Sequence, residues 1–296
     1  MHQRLTKLSY FLSLIRVQQW IKNLFVFLPM FFNKQLVSFD SLISATIAFF
    51  LFSFIASSIY CFNDIVDLEF DKQHKSKKNR VLASGLVSIN EARICMFVCS
   101  LLGLGLSYYL SGFDLFLVLT IYFLINVLYT LIFKKIMVLD VMFIAASFVL
   151  RLLAGGVATN TELSYWIIIM VTLLALFLAF AKRRDEVVIY MEDKILVRSN
   201  IDKYSLKFLD SILTVLSLAI TMFYLAYTFS PETKAQFNSD YIWLTSIFVI
   251  LGLFRYGRLI KLRQNYVNPT KILLKDKAMQ FIVFSWIISF YIIIYT

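Results

Sequence analysis

The sequence predicts an all-α polytopic membrane protein, a single integral membrane domain of nine transmembrane helices. Three observations lead there. Apolar residues make up 60% of the chain and charged residues only 16%, against about 25% charged in an ordinary soluble domain; the mean hydropathy is +0.78. Several apolar runs reach the ~18 residues that read as a membrane-crossing helix, and a chain of 296 residues has too little interior to bury them all in one soluble core. Finally, the basic residues are confined to alternate links between those runs.

The chain starts MHQRLTKLSYFLSLIRVQQW. Its basic beginning is not followed by a secretory signal, because Arg16, Gln18 and Gln19 interrupt the apolar part and no small-residue cleavage site follows. Leu5, Leu8, Leu12 and Ile15 fall near one helical face, as in an amphipathic segment lying at a membrane surface. Helices are then expected at about 21–33, 41–62, 92–110, 114–133, 138–158, 164–181, 208–229, 241–255 and 278–295. The first is short and carries Pro29, which suits a tilted or half-interfacial element. The links NKQLVSFD, SGFD, the stretch around TNTE, and SPETKAQFNSD are brief; those on the other side are longer and basic.

Charge orients these helices. Of 29 Lys and Arg, only Lys34, Lys234 and Arg151 do not fall on the N-terminal side of the membrane in this arrangement. The positive-inside rule makes that side cytoplasmic and puts the C-terminus outside. The net charge of +11 suits anionic lipid headgroups or phosphorylated substrates; without a soluble domain to hold it, nucleic acid is not an expected partner. With only His2 and His74, the chain lacks the material for a histidine-based zinc site or a serine–histidine hydrolase. Cys61, Cys95 and Cys99 read as packing residues.

Cytoplasmic loops at about 63–91, 182–207 and 256–277 carry the chemistry. The first begins NDIVDLEFD, directly after an apolar helix. If the helix continues, Asn63, Asp64, Asp67 and Asp71 share one face, with Tyr60 one turn before and Glu69 pointing to solvent. Three like charges on one face repel one another, so neighbouring lysines or a bound divalent metal must offset them. Oxygen donors without histidine or thiolate favour Mg2+, which bridges carboxylates to phosphates, and the following KQHKSKKNR offers Lys75, Lys78 and Arg80 to further phosphate oxygens. The second loop mixes Lys182, Arg183 and Arg184 with Asp185 and Glu186 at a helix end. Arg255, Arg258 and Lys277 are anion contacts or topology anchors in the third. Arg151 stands inside an apolar span and is expected to face the protein interior, with Asp140 a candidate partner.

The pattern at Asn63, Asp64, Asp67 and Asp71 resembles the first signature of the UbiA superfamily of intramembrane prenyltransferases. RVQQWIKN at residues 16–23, DKQHKSKKNRVLASG, YFLINVLYTLIFKKIMVLDV and FVLRLLAGG resemble the branch that transfers phosphoribosyl groups to decaprenyl phosphate. Val17, Ser76 and Val81 stand where that branch carries proline, and AKRRDE replaces the spaced aspartates of enzymes that use prenyl diphosphates. The resemblance implies a UbiA-like bundle in the bacterial inner membrane, with its site facing the cytoplasm. It implies Mg2+-dependent transfer of phosphoribosyl from phosphoribosyl diphosphate to a polyprenyl phosphate, as in cell-wall biosynthesis. Asp64, Asp67 and Asp71 would hold the metal, with Lys182 and Asp185 alongside them in the chemistry. Lys22, Tyr60, Asn63, Lys75, Lys78, Arg80, Asn126, Tyr129, Lys134, Arg151, Arg183 and Glu186 would contact substrate. Transfer of a prenyl group to an aromatic or lipid-phase acceptor, and ion-coupled or anion transport, are the competing expectations.

Overall fold

The computed structural model describes residues 7–73, 77–193, 200–261 and 269–295, and all regular structure among them is helical. In chain order the α-helices are α1 (Lys7–Leu14), α2 (Leu28–Phe32), α3 (Phe39–Val66), α4 (Leu68–Gln73), α5 (Ile89–Ser100), α6 (Leu106–Leu131), α7 (Leu139–Ala158), α8 (Tyr165–Asp193), α9 (Leu206–Phe229), α10 (Pro231–Phe237), α11 (Ser246–Lys261), α12 (Pro269–Lys275) and α13 (Lys277–Tyr295). A 3₁₀ segment, Val17–Phe27, precedes α2, and a π turn, Leu101–Gly105, joins α5 to α6. Seven of the described helical stretches are long and apolar enough to cross a membrane, which makes this an all-α polytopic membrane bundle.

Local sequence sets the boundaries. Ser38 caps α3 by accepting from the Ser41 amide at 3.3 Å, and Asp40 adds a carboxylate in the first turn, where the helix dipole favours negative charge. Ser88 and Glu91 form a reciprocal capping box on α5. The stretch Ile89–Leu131 has 43 residues, about 65 Å as a straight helix and twice the hydrocarbon thickness. It is broken at Gly112, whose φ of 81° and ψ of −176° are not helical. The SGFD link expected there is thus a real break, made by a residue that tolerates positive φ.

The expected helix at 21–33 takes a different form. Val17–Phe27 is a 3₁₀ segment, and only Leu28–Phe32, with Pro29 in its first turn, is α-helical. In a 3₁₀ helix residues three apart stand in line, and Asn23 and Val26 are both buried. The Trp20 indole donates to Ser57 Oγ at 3.0 Å, Asn23 Nδ2 donates to Ser53 Oγ at 2.9 Å, and Phe27 packs on Phe49 with ring centroids 5.7 Å apart. The segment therefore runs antiparallel to α3, meeting it on successive turns. Beyond it, Thr161 Oγ1, just past the end of α7, donates to Gln35 at 3.0 Å. Gly155 permits this approach, because a Cβ there would lie 2.0 Å from the Val26 carbonyl oxygen.

The described residues form two compact units. The first comprises residues 1–134 and 147–163. Its core joins Val26 of the 3₁₀ segment to Phe52 and Ile55 of α3, Leu115 and Leu119 of α6, and Leu150 and Ala154 of α7; a smaller cluster holds Leu14, Cys61, Val81 and Leu82. The second unit comprises residues 135–146 and 164–296, and its core draws on Val141, Phe177, Leu209, Leu216, Tyr256 and Met279. Leu8 and Leu12 of α1 are exposed, as an interfacial apolar face requires.

Candidate functional site

In the first unit α3 continues past the expected end near 62, carries Asn63 and Asp64, and stops at Val66. Asp67 takes a non-helical conformation as its C-cap, and α4 then restarts. The break is slight: the Asp71 amide still donates to the Asp67 carbonyl at 2.8 Å, so the near-helical phasing of the acidic motif survives.

Each carboxylate is held by a cation. Arg80 Nη1 donates to Asp64 Oδ1 at 3.1 Å and also to Asp71 Oδ2, bridging the two. Arg16 donates a second hydrogen bond to Asp64 and lies over the Tyr60 ring, 4.9 Å from its centroid. Lys134 pairs with Asp67. Three positive groups thus offset three negative ones, which is how the repulsion expected along this face is relieved. Asp64 is 4% and Asp71 2% exposed, whereas Glu69 lies in solvent and pairs with Lys72, as the helical phasing predicts. Thr130 donates to Asn63. Arg16 has a left-handed backbone, φ 52°, a conformation uncommon outside glycine that marks functional positions.

The donor set fits a hard divalent cation. The acidic side chains supply oxygen only, and Asp71 Oδ1 is buried without a hydrogen-bond partner among the described residues, an acceptor still to be satisfied. Among the described residues no three ligating side chains already converge on one point. The guanidinium of Arg80 stands between Asp64 and Asp71 and bridges them.

Below this cluster lies a second polar group. Arg151 is 4% exposed. Its Nε donates to Asn23 Oδ1 at 2.8 Å, Nη1 to the Ser147 carbonyl at 2.6 Å and Nη2 to the Tyr122 hydroxyl at 3.1 Å. Phe52, Tyr122 and Phe148 present ring faces 5.0, 5.2 and 5.1 Å from it. Asp140 is not its partner. Asn126 donates to the Tyr122 carbonyl at 2.8 Å and to Ser147 Oγ at 3.3 Å, and Tyr129 is partly buried on the same helix. Lys22 is partly buried, and Lys78 is exposed. Lys75 falls outside the described residues.

The second loop builds its own network in the second unit. Arg183 is fully buried, donating to Asp140 Oδ2 at 2.7 Å and Glu186 Oε2 at 2.6 Å. Tyr204 donates to Asp140 Oδ1 at 2.6 Å and accepts from the Val138 amide at 2.9 Å. Burial raises the Tyr204 phenol above its ordinary range, and the hydrogen bond to Asp140 raises it further, so it stays a donor. Lys182 lies 3.8 Å from Glu186, Arg184 pairs with Asp210, and Asp185 is partly buried. In the third loop Arg255 pairs with Asp276 at 2.7 Å, while Arg258 and Lys277 are exposed. The sequence reading missed Thr130, Tyr122 and Tyr204 as site neighbours, and the pairing of Arg16 with Asp64. Arg16 and Asn23 open and close the RVQQWIKN stretch, so a signal for them was present.

Residues 23–275 match the UbiA prenyltransferase family. The chain belongs to it. Within the family it falls with a decaprenyl-phosphate phosphoribosyltransferase-like branch. It is 27% identical over 289 residues to the decaprenyl-phosphate phosphoribosyltransferase of Corynebacterium glutamicum, covering 95% of this chain and 85% of that protein. It is 28% identical over 290 residues to that of Mycolicibacterium smegmatis, covering 94% and 90%. A solved UbiA homolog from Archaeoglobus fulgidus, bound to GPP and Mg2+, matches with a TM-score of 0.72 at 20% identity over 97% of this chain and 100% of the other. The UbiA fold is thus shared across nearly the full chain.

Proposed function

We propose that this UbiA-family chain transfers 5-phosphoribosyl from phosphoribosyl diphosphate to a polyprenyl phosphate, releasing diphosphate. The observation that carries the reading is the nearly end-to-end similarity to decaprenyl-phosphate phosphoribosyltransferases, which takes in the acidic motif of the first unit and the KRRDE loop of the second. Asp64, Asp67 and Asp71 hold Mg2+, the cation seen with the Archaeoglobus homolog. When bound, Mg2+ neutralises charge that develops on the departing diphosphate.

The chain's own residues do the rest. With Mg2+ on the carboxylates, Arg80 and Arg16 would be free to meet diphosphate oxygens, where guanidinium groups bind bidentately. Lys134, freed from Asp67, adds a third cation. Tyr60 and Asn63 line the donor, and Asn126 and Tyr129 the region beneath it. Lys78 and Lys75 are outer anion contacts. Lys182 and Asp185 enter through the family resemblance, while Arg183 and Glu186 act by holding α8 in place around Asp140. In the reaction the bond from ribose C1 to the diphosphate oxygen breaks and one from C1 to an acceptor phosphate oxygen forms. An ionised phosphate needs no proton removed, so the reaction requires no histidine base. Attack from the face opposite the leaving group inverts C1.

The reading includes nine crossings, with the N-terminus and the site in the cytoplasm of a bacterial cell and the C-terminus outside. Two features support it. The 3₁₀ segment and α2 together advance about 30 Å at ~2.0 and ~1.5 Å per residue, one hydrocarbon thickness. The break at Gly112 divides the 43-residue stretch into two legs.

The test supplies the protein in nanodiscs with Mg2+, radiolabelled phosphoribosyl diphosphate and polyprenyl phosphate; a parallel reaction holds polyprenyl diphosphate and 4-hydroxybenzoate. Label entering the lipid phase, lost in Asp64→Asn, is the expected result. A prenylated aromatic with no labelled lipid would overturn the proposal.

A further inference from the structure

Lys22 and Arg151 leave two positive charges without a carboxylate among the described residues of the first unit. Arg151 is solvated by an amide oxygen, a carbonyl, a hydroxyl and three ring faces, all neutral. Lys22 has neither a hydrogen-bond acceptor nor an acidic partner there, and it lies within electrostatic reach of both Arg151 and Arg16. Arg16 is already neutralised by Asp64. Holding two like charges together inside a membrane bundle is costly, and an anion brought from outside would relieve it.

We infer that Lys22 binds the phosphate of the lipid acceptor, and that Arg151 is a positioning residue which fixes Lys22 through Asn23. This rests on the proposed function in one respect, the lipid monophosphate as acceptor. Its geometry is independent. Trp20 and Asn23, on either side of Lys22, are tied to Ser57 and Ser53 of α3. Ser57 lies two turns before Asp64, about 10 Å along the helix, so Lys22 is carried deeper into the bundle than the acidic cluster. A displacement that inverts C1 requires just this separation, with the leaving group at the carboxylates and the nucleophile beyond the sugar. A lipid tail also enters from the hydrocarbon, so its phosphate meets the deeper cation first. A phosphate monoester carries about −1.5 to −2 charge near neutral pH, which matches the two uncompensated cations.

Arg151 does not itself reach the phosphate. It is enclosed, and its donors are turned to Asn23, Ser147 and Tyr122. Asn23 accepts from Arg151 and donates to Ser53, which locks the rotation of the 3₁₀ segment and the direction of the neighbouring Lys22. The stretch RVQQWIKN thereby gains a division of labour: Arg16 pairs with Asp64, Trp20 and Asn23 fix the segment, and Lys22 meets the ligand.

The experiment measures binding of polyprenyl phosphate to the full chain in nanodiscs, without donor or Mg2+, with polyprenol and inorganic phosphate as separate probes. Polyprenyl phosphate is expected to bind and polyprenol to bind at least tenfold more weakly; inorganic phosphate alone binding as well would overturn a lipid acceptor. Lys22→Gln is expected to weaken polyprenyl phosphate at least tenfold, with Lys22→Arg restoring most of the loss and affinity for Mg2+-phosphoribosyl diphosphate held within twofold. Arg151→Lys keeps the charge but not the forked geometry. It is expected to raise the acceptor KM about fivefold with the donor KM unchanged, and Asn23→Ala added to it should cost little more, since the two act as a unit. A merely structural arginine would move both KM values together. If Lys22→Gln weakens the donor instead, or neither ligand, the inference falls while the proposed function stands. If phosphoribosyl transfer is absent but Lys22-dependent binding of the lipid monophosphate persists, the proposed function falls and the inference stands.

Discussion

Replacing Arg80 by Met separates the architectural role of the cationic clasp from its chemistry. Arg80 Nη1 reaches both Asp64 and Asp71. Without it Asp64 keeps Arg16, but Asp71 loses its cation, and its other oxygen is already without a partner. Removing one partner of a buried ion pair costs about 3–5 kcal/mol. Arg80 is 32% exposed, so solvent screens part of the pair and the expected loss falls near the lower end, about 3 kcal/mol. Mg2+ should replace the missing charge. A ligand at ~100 times its Kd stabilises the folded state by about 2.7 kcal/mol, nearly the whole deficit. In the wild type Mg2+ must first displace Arg80, so its gain is smaller. Thermal unfolding in detergent with EDTA or saturating Mg2+ gives the readout. The expected pattern is a lower midpoint for Arg80→Met in EDTA, a larger Mg2+ shift than in wild type, and little transfer activity in either condition. A Mg2+ shift in the variant equal to or smaller than that of wild type would refute the idea that guanidinium and metal compete for the same carboxylates.

Four further outcomes follow from the structure. Gly155→Ala drives a Cβ to 2.0 Å from the Val26 carbonyl oxygen; a loss of about 1–3 kcal/mol and reduced transfer are expected by thermal melting and activity assay. Gly252→Ala, whose Cβ meets only Ile282 Cγ2 at 3.7 Å, should change little. Arg183→Met removes the buried cation that Asp140 and Glu186 share and should reduce the yield of folded protein, while adding Asp140→Asn recovers part of it; size-exclusion profiles in detergent decide this. The hydrogen bond from Arg255, aided by the Met279 amide, holds the Asp276 carboxyl below its ordinary range. A depressed native pKa means this stabilisation is present above the ordinary carboxylate range and is lost as pH falls through the native value. Asp276→Asn should therefore flatten the acid limb of the melting-midpoint profile.

Much of this was legible in the chain because hydrophobic length is a local property. The runs that became α3, α9 and α13 could be read one at a time, and Gly112 announced the break in SGFD. The phasing of Asp64, Asp67 and Asp71 was also local, so the acidic face and the solvent position of Glu69 could be read directly. What sequence could not show was how that face is neutralised. Arg16 meets Asp64 and Lys134 meets Asp67 across long separations in the chain, and no periodicity encodes such pairs. Asp140 was matched to the nearest cation on its own helix, Arg151, whereas tertiary packing gave it Arg183. The first apolar segment carries a repeat of three rather than the 3.6 of an α-helix, which its apolar pattern alone does not distinguish.

That repeat limits how the segment can change in evolution. In an α-helix, at about 100° per residue, no small whole number of residues restores a face in register, although three or four come near it. In Val17–Phe27 each residue advances a third of a turn, and Trp20, Asn23 and Val26 stand in single file. One added or deleted residue would swing every later side chain away by 120°, replacing the polar rung at Asn23 with a neighbour unable to meet both Arg151 and Ser53. Length variants that keep the file intact would have to come in threes, each moving the chain about 6 Å along the segment axis. Among working relatives, changes in length should therefore collect in the links and spare this strip.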